Sequence, residues 1–338
     1  MKRFTKLAAI VMSLLMLCSM AGCSSSDIDY ANTVAATYGS ENIYMDEAVF
    51  FLRYQQWTEE AYYWDMYTTY FGYDDMWVVP ADSEGNITME DYLKEYVMSQ
   101  LIQTRVLIDH ADEYGAALTD AEKTKVSEAV DATYENLAEE FFNYVTISEE
   151  ALQAALEKNA VANKVYEAVR QSTQVEVTDA ECQMYTIQYA LLGDVTDDSE
   201  NVTITAEDLA ADVKAQLEAG SDFEAVGELN DFSVSETSYL KADDSNTSEL
   251  FLYTVMMTEG QIESWQSGEN WYVVKCVSEL DEEATEEKRA EVEDEKREEY
   301  FDTVYEEWAA AAQSWDVKKA YENYTIISGE EIYVALES

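Results

Sequence analysis

The sequence predicts a mainly helical α+β protein, with a helical domain made from N- and C-terminal segments and a small α+β domain inserted between them. Three observations carry this. Apolar residues recur at helical spacing over most of residues 46–171. Near residue 175 the pattern changes to short apolar runs alternating with short capped helices. From Glu282 a long helix-favouring stretch returns.

Of the 338 residues 71 are acidic and 20 basic, for a formal charge of −51. Such a chain lacks the Lys and Arg that displace counterions from phosphates, so nucleic acid is excluded as a partner. It likewise has no basic face for anionic lipid. A composition 47% hydrophobic and 12% aromatic argues against a disordered acidic protein. The single histidine, His110, rules out a multi-His metal site and argues against His-based catalysis. It lies beside an apolar helical stripe, where a core or surface role is expected.

Residues 1–22 read as a secretion signal: Lys2, Arg3 and Lys6, an apolar run Leu7–Met20 too short for a comfortable membrane span, then Ala21 and Gly22. Met20-Ala21-Gly22-Cys23 resembles the bacterial lipobox, although Met is less usual than Leu at its first position. That resemblance implies cleavage before Cys23 and a diacylglycerol on its thiol; the plainer alternative is an ordinary cleaved signal. Residues 23–32 would be the lipidated Cys and its tether. Losing residues 1–22 removes three basic and no acidic groups, which moves the formal charge from −51 to −54. Such a chain would stand off an anionic envelope while its lipid holds it to the outer face of the cell membrane.

Thr33–Tyr44 reads as extended chain with a turn at Gly39-Ser40, and a helix follows from Asp46. Residues 50–77 hold twelve aromatics, too dense for one helical stripe, so some must face solvent, a cleft or a partner. Thr88 with Asp91 opens a second helix carrying Leu93, Val97, Leu101, Ile108 and Ala111, which Gly115 ends. Thr119 and Glu122 form a capping box for a third helix, and Ser148-Glu-Glu opens a fourth that runs to about Gln171. Beyond 175, Met184–Leu192 is strand-like and Asp194–Asn201 a polar loop. Thr205 caps a helix stopped by Gly220, and Ser221–Glu224 caps another. Ser238–Leu240 and Trp271–Val277 read as strands, and Val255–Glu259 as a helix end. Glu282–Glu299 is charged and helix-favouring, a solvated face rather than a calcium loop. Phe301, Val304, Trp308, Ala311 and Trp315 then form a stripe that must pack on something, and the helical N-terminal half is the expected support. Ile326, Ile327, Ile332, Val334 and Leu336 suggest a final strand or hairpin. Cys182 and Cys276 are two thiols whose pairing is left open. No phosphate loop, dinucleotide fingerprint or hydrolase elbow is present, and no metal or other cofactor is expected.

Three stretches carry a family resemblance. Thr33-Val-Ala-Ala-Thr-Tyr-Gly with Ile43-Tyr-Met-Asp-Glu47 is the first. Tyr92-Leu-Lys-Glu-Tyr-Val-Met-Ser-Gln-Leu-Ile102 through Gly115 and Leu118-Thr-Asp-Ala-Glu122 is the second. Leu217-Glu-Ala-Gly-Ser-Asp-Phe223 with Glu259-Gly-Gln-Ile262 and Trp271-Tyr-Val-Val-Lys275 is the third. In order and spacing they resemble the extracytoplasmic foldases of the PrsA and SurA type, in which a helical chaperone domain carries an inserted parvulin (peptidyl-prolyl isomerase) domain. The resemblance implies a chaperone domain over 33–175, a parvulin-like domain over 176–282, and a C-terminal segment 283–338 that returns to the chaperone domain.

It also implies a function: transient binding of unfolded or partly folded exported proteins at the cell envelope. The client-binding candidates are Phe51, Tyr54, Trp57, Tyr63, Trp64, Tyr67, Phe71 and Trp77, with core packing between helices as the alternative for most of them. Prolyl isomerisation is expected to be weak or inactive, because Tyr189 and Tyr272 stand where active parvulins carry histidines. Ser238-Tyr-Leu-Lys-Ala-Asp243 lies where the family has Gly-Gly-Asp-Leu-Gly. If activity survives, Tyr189, Asp231 and Tyr272 are its polar groups, and Met257 and Trp265 wall its pocket. The rivals are a working parvulin with a rearranged site and a solute-binding lipoprotein, which would need two α/β lobes. Homodimer formation is left open.

Overall fold

The computed structural model describes residues 28–136, 145–197, 199 and 201–326. Cys23 and the secretion signal lie outside the described residues, as do Ile327, Ile332, Val334 and Leu336. The chain divides into two compact units. The first runs to Val169 and resumes at Val304; the second is Arg170–Thr303.

In the first unit, β1 (Val34–Tyr38) and β2 (Glu41–Tyr44) form a hairpin closed by Gly39-Ser40. Gly39 sits at φ +55°, the left-handed region that favours glycine, and the end of the Gln313 side chain fills the space where a Cβ would stand. The third strand of this sheet comes from the far end of the chain. Trp315–Val317 (β9) pairs antiparallel with β1, matching Tyr38 to Trp315 and Ala36 to Val317. Asp109 anchors this junction by accepting from Tyr38 Oη at 2.7 Å and Gln313 Nε2 at 3.2 Å.

Helix α1 (Met45–Asp65) buries Met45, Val49, Leu52, Gln56 and Glu60, a spacing of three and four that defines its inner face. Helix α2 (Met89–Asp109) starts at the Thr88–Asp91 capping box, in which each residue's side chain accepts from the other's backbone N–H at 3.1 Å. Helix α3 (Asp120–Asn136) opens with the same reciprocal pair at Thr119 and Glu122, and α4 (Glu149–Ser172) follows Ser148. One core cluster gathers Phe50, Val130, Val145, Ile147 and Leu152, with Phe51 and Trp57 packed at its margin.

The second unit holds an antiparallel sheet of order β6-β3-β8-β7: Ser235–Leu240, Met184–Leu192, Asn270–Ser278 and Ile262–Ser267. Between β3 and β6 come α6 (Ala206–Glu218) and α7 (Phe223–Asn230), capped by Thr205 and Asp222. A short helix α5 (Asp179–Cys182) precedes β3, and α8 (Glu249–Thr254) lies between β6 and β7. Alternation along the strands builds two layers. Ala190, Leu192 and Val273 pack with Leu209, Val213, Leu217, Phe223 and Val226 of α6 and α7. Tyr185, Ile187, Val274 and Cys276 pack with Phe251 and Met257.

Several expectations are corrected. Trp315 does not extend the helical stripe: helix α9 (Glu282–Ala311) ends four residues earlier, and Trp315 begins β9 with its side chain partly open to solvent. The polar loop 194–201 contains β4 (Val195–Thr196), which pairs with β5 (Val202–Ile204). The helix end placed at 255–259 belongs to α8, which stops at Thr254 and is too short to show a period. Strand β7 was not anticipated, because Glu263, Ser264, Gln266 and Ser267 give an edge strand little apolar alternation. Both described cysteines are free, buried thiols. His110 caps the C-terminus of α2 and stacks on Trp308 at 3.8 Å, a surface-packing role.

Candidate functional site

The first candidate is the aromatic segment. Its base is a buried polar ladder on the inner face of α1. Arg53 donates through Nη1 to Gln56 Oε1 at 2.6 Å and through Nη2 to Tyr324 Oη at 3.0 Å. Gln56 Nε2 donates to Glu60 Oε1 at 2.7 Å, and Trp77 Nε1 donates to the same oxygen at 2.6 Å. Glu60 is fully buried, and its Oε2 has no partner. Burial pushes its carboxyl above the usual glutamate range, against the pull of the hydrogen bonds from Gln56 and Trp77 and the charge of Arg53.

Past Glu60 the chain leaves the core. Helix α1 widens into a π-turn over Met66–Tyr70, with Phe71 N–H donating to Met66 C=O, and Gly72 at φ +76° turns the chain back. Asp75 then caps a 3₁₀ turn, Met76–Val78, which returns Met76 and Trp77 to the interior. The excursion presents its rings to solvent: Tyr62 is 80% exposed and Tyr70 81%, with Tyr63, Phe71 and Tyr73 exposed as well. They meet in two groups, Tyr62 edge to face with Tyr63 at 4.9 Å, and Phe71 with Tyr70 at 5.1 Å and Tyr67 at 6.1 Å, so the excursion carries a run of paired rings, called the ring cluster below.

The eight predicted client-binding residues therefore separate. Tyr54, Tyr63 and Phe71 are exposed, and Phe51, Trp57, Trp64 and Tyr67 are half-buried. Trp77 is corrected to a core residue: it is 2% exposed, with its one polar atom bonded to Glu60. The two most exposed rings, Tyr62 and Tyr70, are not among the eight. A signal for Tyr62 exists: if Leu52, Gln56 and Glu60 face inward, helical phase turns residue 62 outward.

The second candidate lies on the sheet of the other unit. Tyr272 is flanked by Tyr189 at 6.1 Å and by Trp265, its cross-strand neighbour, at 5.3 Å. Tyr253 stacks on Trp265 at 4.9 Å with an interplanar angle of 11°. Glu249 orients the indole, accepting from Trp265 Nε1 at 3.1 Å and from Ser267 Oγ at 2.6 Å. Met257 is buried in the same cluster, while Leu252, Tyr253 and Met256 are exposed at its rim. Burial, then the Glu249 charge, raises the Tyr272 phenol above its ordinary value, so its hydroxyl remains a donor at neutral pH. Tyr185, hydrogen-bonded to Thr254, is pushed by burial to about 12.

The structure thus brings Tyr189, Tyr272, Trp265 and Met257 together and leaves Asp231 elsewhere. Asp231 caps α7 in the left-handed conformation, at φ +59°. It lines a cleft of about 260 Å³ with Leu191, Asp194, Leu209, Asn230 and Phe232. Tyr253 and Glu249 were missed because α8 was not recognised. The arrangement offers aromatic faces and phenolic donors that can hold an apolar ring, and the chain's single histidine lies in the other unit. Among the described residues, no group of three or more His, Cys, Asp or Glu side chains is placed to hold a metal ion.

No protein-family model and no curated protein matches the sequence. Solved structures do. The peptidylprolyl isomerase PrsA from Bacillus cereus is 18% identical, with a TM-score of 0.30 over 78% of this chain and 97% of that one. A structure from work on two SurA-like chaperones of Campylobacter jejuni is 11% identical, with a TM-score of 0.30 over 85% of this chain and 100% of that one. The foldase protein PrsA from Streptococcus pneumoniae is 14% identical, with a TM-score of 0.27 over 74% and 97%. Likeness at these values assigns no activity. The chain is similar to the PrsA and SurA-like foldases and chaperones.

Proposed function

We propose that the protein is an extracytoplasmic chaperone or foldase that binds unfolded or partly folded exported proteins, held to the outer face of the cell membrane through Cys23. The exposed ring cluster Tyr62–Tyr73 carries this reading. An acidic chain gains nothing in solubility from showing five large aromatics there, whereas tyrosine offers apolar area with a polar handle to segments of varied sequence. Transient capture would lower the concentration of aggregation-prone chain.

The second unit then serves mainly in binding, with prolyl isomerisation weak or absent. A twisted prolyl amide must cross a barrier of roughly 20 kcal/mol, and Tyr189 and Tyr272 bring phenolic hydroxyls to a site that holds no histidine. The solute-binding alternative needs two α/β lobes. The described residues form instead a helical unit with a three-stranded sheet and a unit with an antiparallel sheet.

The test is suppression of aggregation of an unfolded secreted protein by the full chain and by Tyr62→Ser/Tyr70→Ser. The full chain is expected to suppress aggregation at stoichiometric levels, and the double variant to lose about half or more of that effect. No suppression by the full chain, or equal suppression by the variant, would overturn the reading.

A further inference from the structure

The ring cluster stands in an unusual electrostatic setting. Residues 54–93 contain no Lys, Arg or His, while Glu59, Asp65, Asp74, Asp75, Asp82 and Glu84 lie among or just beyond the aromatics. The basic residue that precedes this run, Arg53, is buried and occupied by Gln56 and Tyr324, so it offers no positive charge at the surface. Asp65 and Asp74 are exposed, one on each side of the π-turn that carries Tyr67 and Tyr70. Aromatic faces are themselves negative, so rings and carboxylates act with the same sign.

Resting on the chaperone reading above, we infer that the ring cluster selects unfolded segments in which Arg or Lys stands beside apolar residues, the cation lying on a tyrosine face next to Asp65 or Asp74. The apolar neighbours occupy the remaining ring area, and the carboxylates repel acidic segments. A second copy of this chain is the poorer occupant, because both surfaces carry the same charge.

The experiment titrates the full chain against three fluorescein-labelled peptides of Leu, Phe and Ser that differ only in carrying Arg, Gln or Glu at the same spaced positions. At low salt the Arg peptide is expected to bind about fivefold more tightly than the Gln peptide, as two exposed cation–ring contacts would give, and the Glu peptide more weakly than both. At about 1 M salt, where screening acts within about 3 Å, the spread should narrow. Asp65→Asn/Asp74→Asn should reduce the Arg preference while Gln-peptide binding holds. Tyr62→Ser/Tyr70→Ser should weaken both peptides.

Equal binding of Arg and Gln peptides, with both weakened by the tyrosine changes, would overturn the cation preference and leave the chaperone reading standing. Peptide binding indifferent to the tyrosine changes would overturn both. A concentration-dependent dimer abolished by the tyrosine changes, with no peptide bound, would assign the cluster to a second copy and also overturn the inference.

Discussion

Glu60 and Trp77, seventeen positions apart, share one buried hydrogen bond, with the indole N–H on Oε1 at 2.6 Å. That bond closes the neck of the loop that carries the exposed rings. Both residues are buried, and among the described residues every ring 80% or more exposed lies between them. Trp77→Phe removes the donor and leaves a void where the larger ring sat. It is expected to cost roughly 2 kcal/mol or more, read as a shift in urea midpoint.

The same carboxyl predicts a pH dependence. Burial raises the Glu60 pKa above its unfolded value. Between the two values the native state holds a proton that the unfolded chain releases, so this group's contribution falls as pH rises through that window. The stability of the natural protein minus that of Glu60→Gln should therefore decline in urea titrations as pH rises above the ordinary glutamate range. A difference that stays level would show that the native carboxyl is already ionised.

A second buried charge sits where α1 meets α2. Arg105 Nη2 donates to both carboxylate oxygens of Glu47 at 2.8 Å, and Nε donates to Glu41 at 3.3 Å. Lys158 also reaches Glu41, at 2.7 Å. Burial works against ionisation of Glu41, but Lys158 and Arg105 together hold it below the usual carboxylate range. Arg105→Met is expected to cost about 3–5 kcal/mol, since it strands a carboxylate. Adding Glu47→Leu should recover much of that loss. Unfolding curves of the two single variants and the double variant close the cycle.

For the second unit, a proline-peptide isomerisation assay should show little acceleration by the full chain. Tyr189→Phe and Tyr272→Phe should change it by less than about twofold, because each keeps its ring and loses only a hydroxyl. Robust turnover abolished by Tyr272→Phe would establish a working rearranged site.

Much of this architecture is legible in one sequence where a local rule decides. Thr88 with Asp91, Thr119 with Glu122 and Thr205 announce helix starts, and Met184–Leu192 is a strand to the residue. What escapes is decided at long range. The segment at Trp315 becomes a strand because β1 offers it an edge, and nothing near Trp315 encodes that edge. Edge strand β7 holds Trp265 against Tyr272 through pairing rather than alternation. At the ring cluster, aromatic density signals exposure without saying which rings. Buried Glu60 and Trp77 choose for the chain, and their pairing is visible only in three dimensions.

Strand β1 pairs with residues about 280 positions later, Ala36 with Val317. A polypeptide made N-terminus first must therefore carry its opening hairpin with one edge bare until nearly the whole chain has emerged. Arg170–Thr303 is complete before that moment, so the last stitch of this molecule joins its oldest residues to some of its newest. A chain cut just short of Trp315 would keep every residue of its insert and leave its first sheet unfinished.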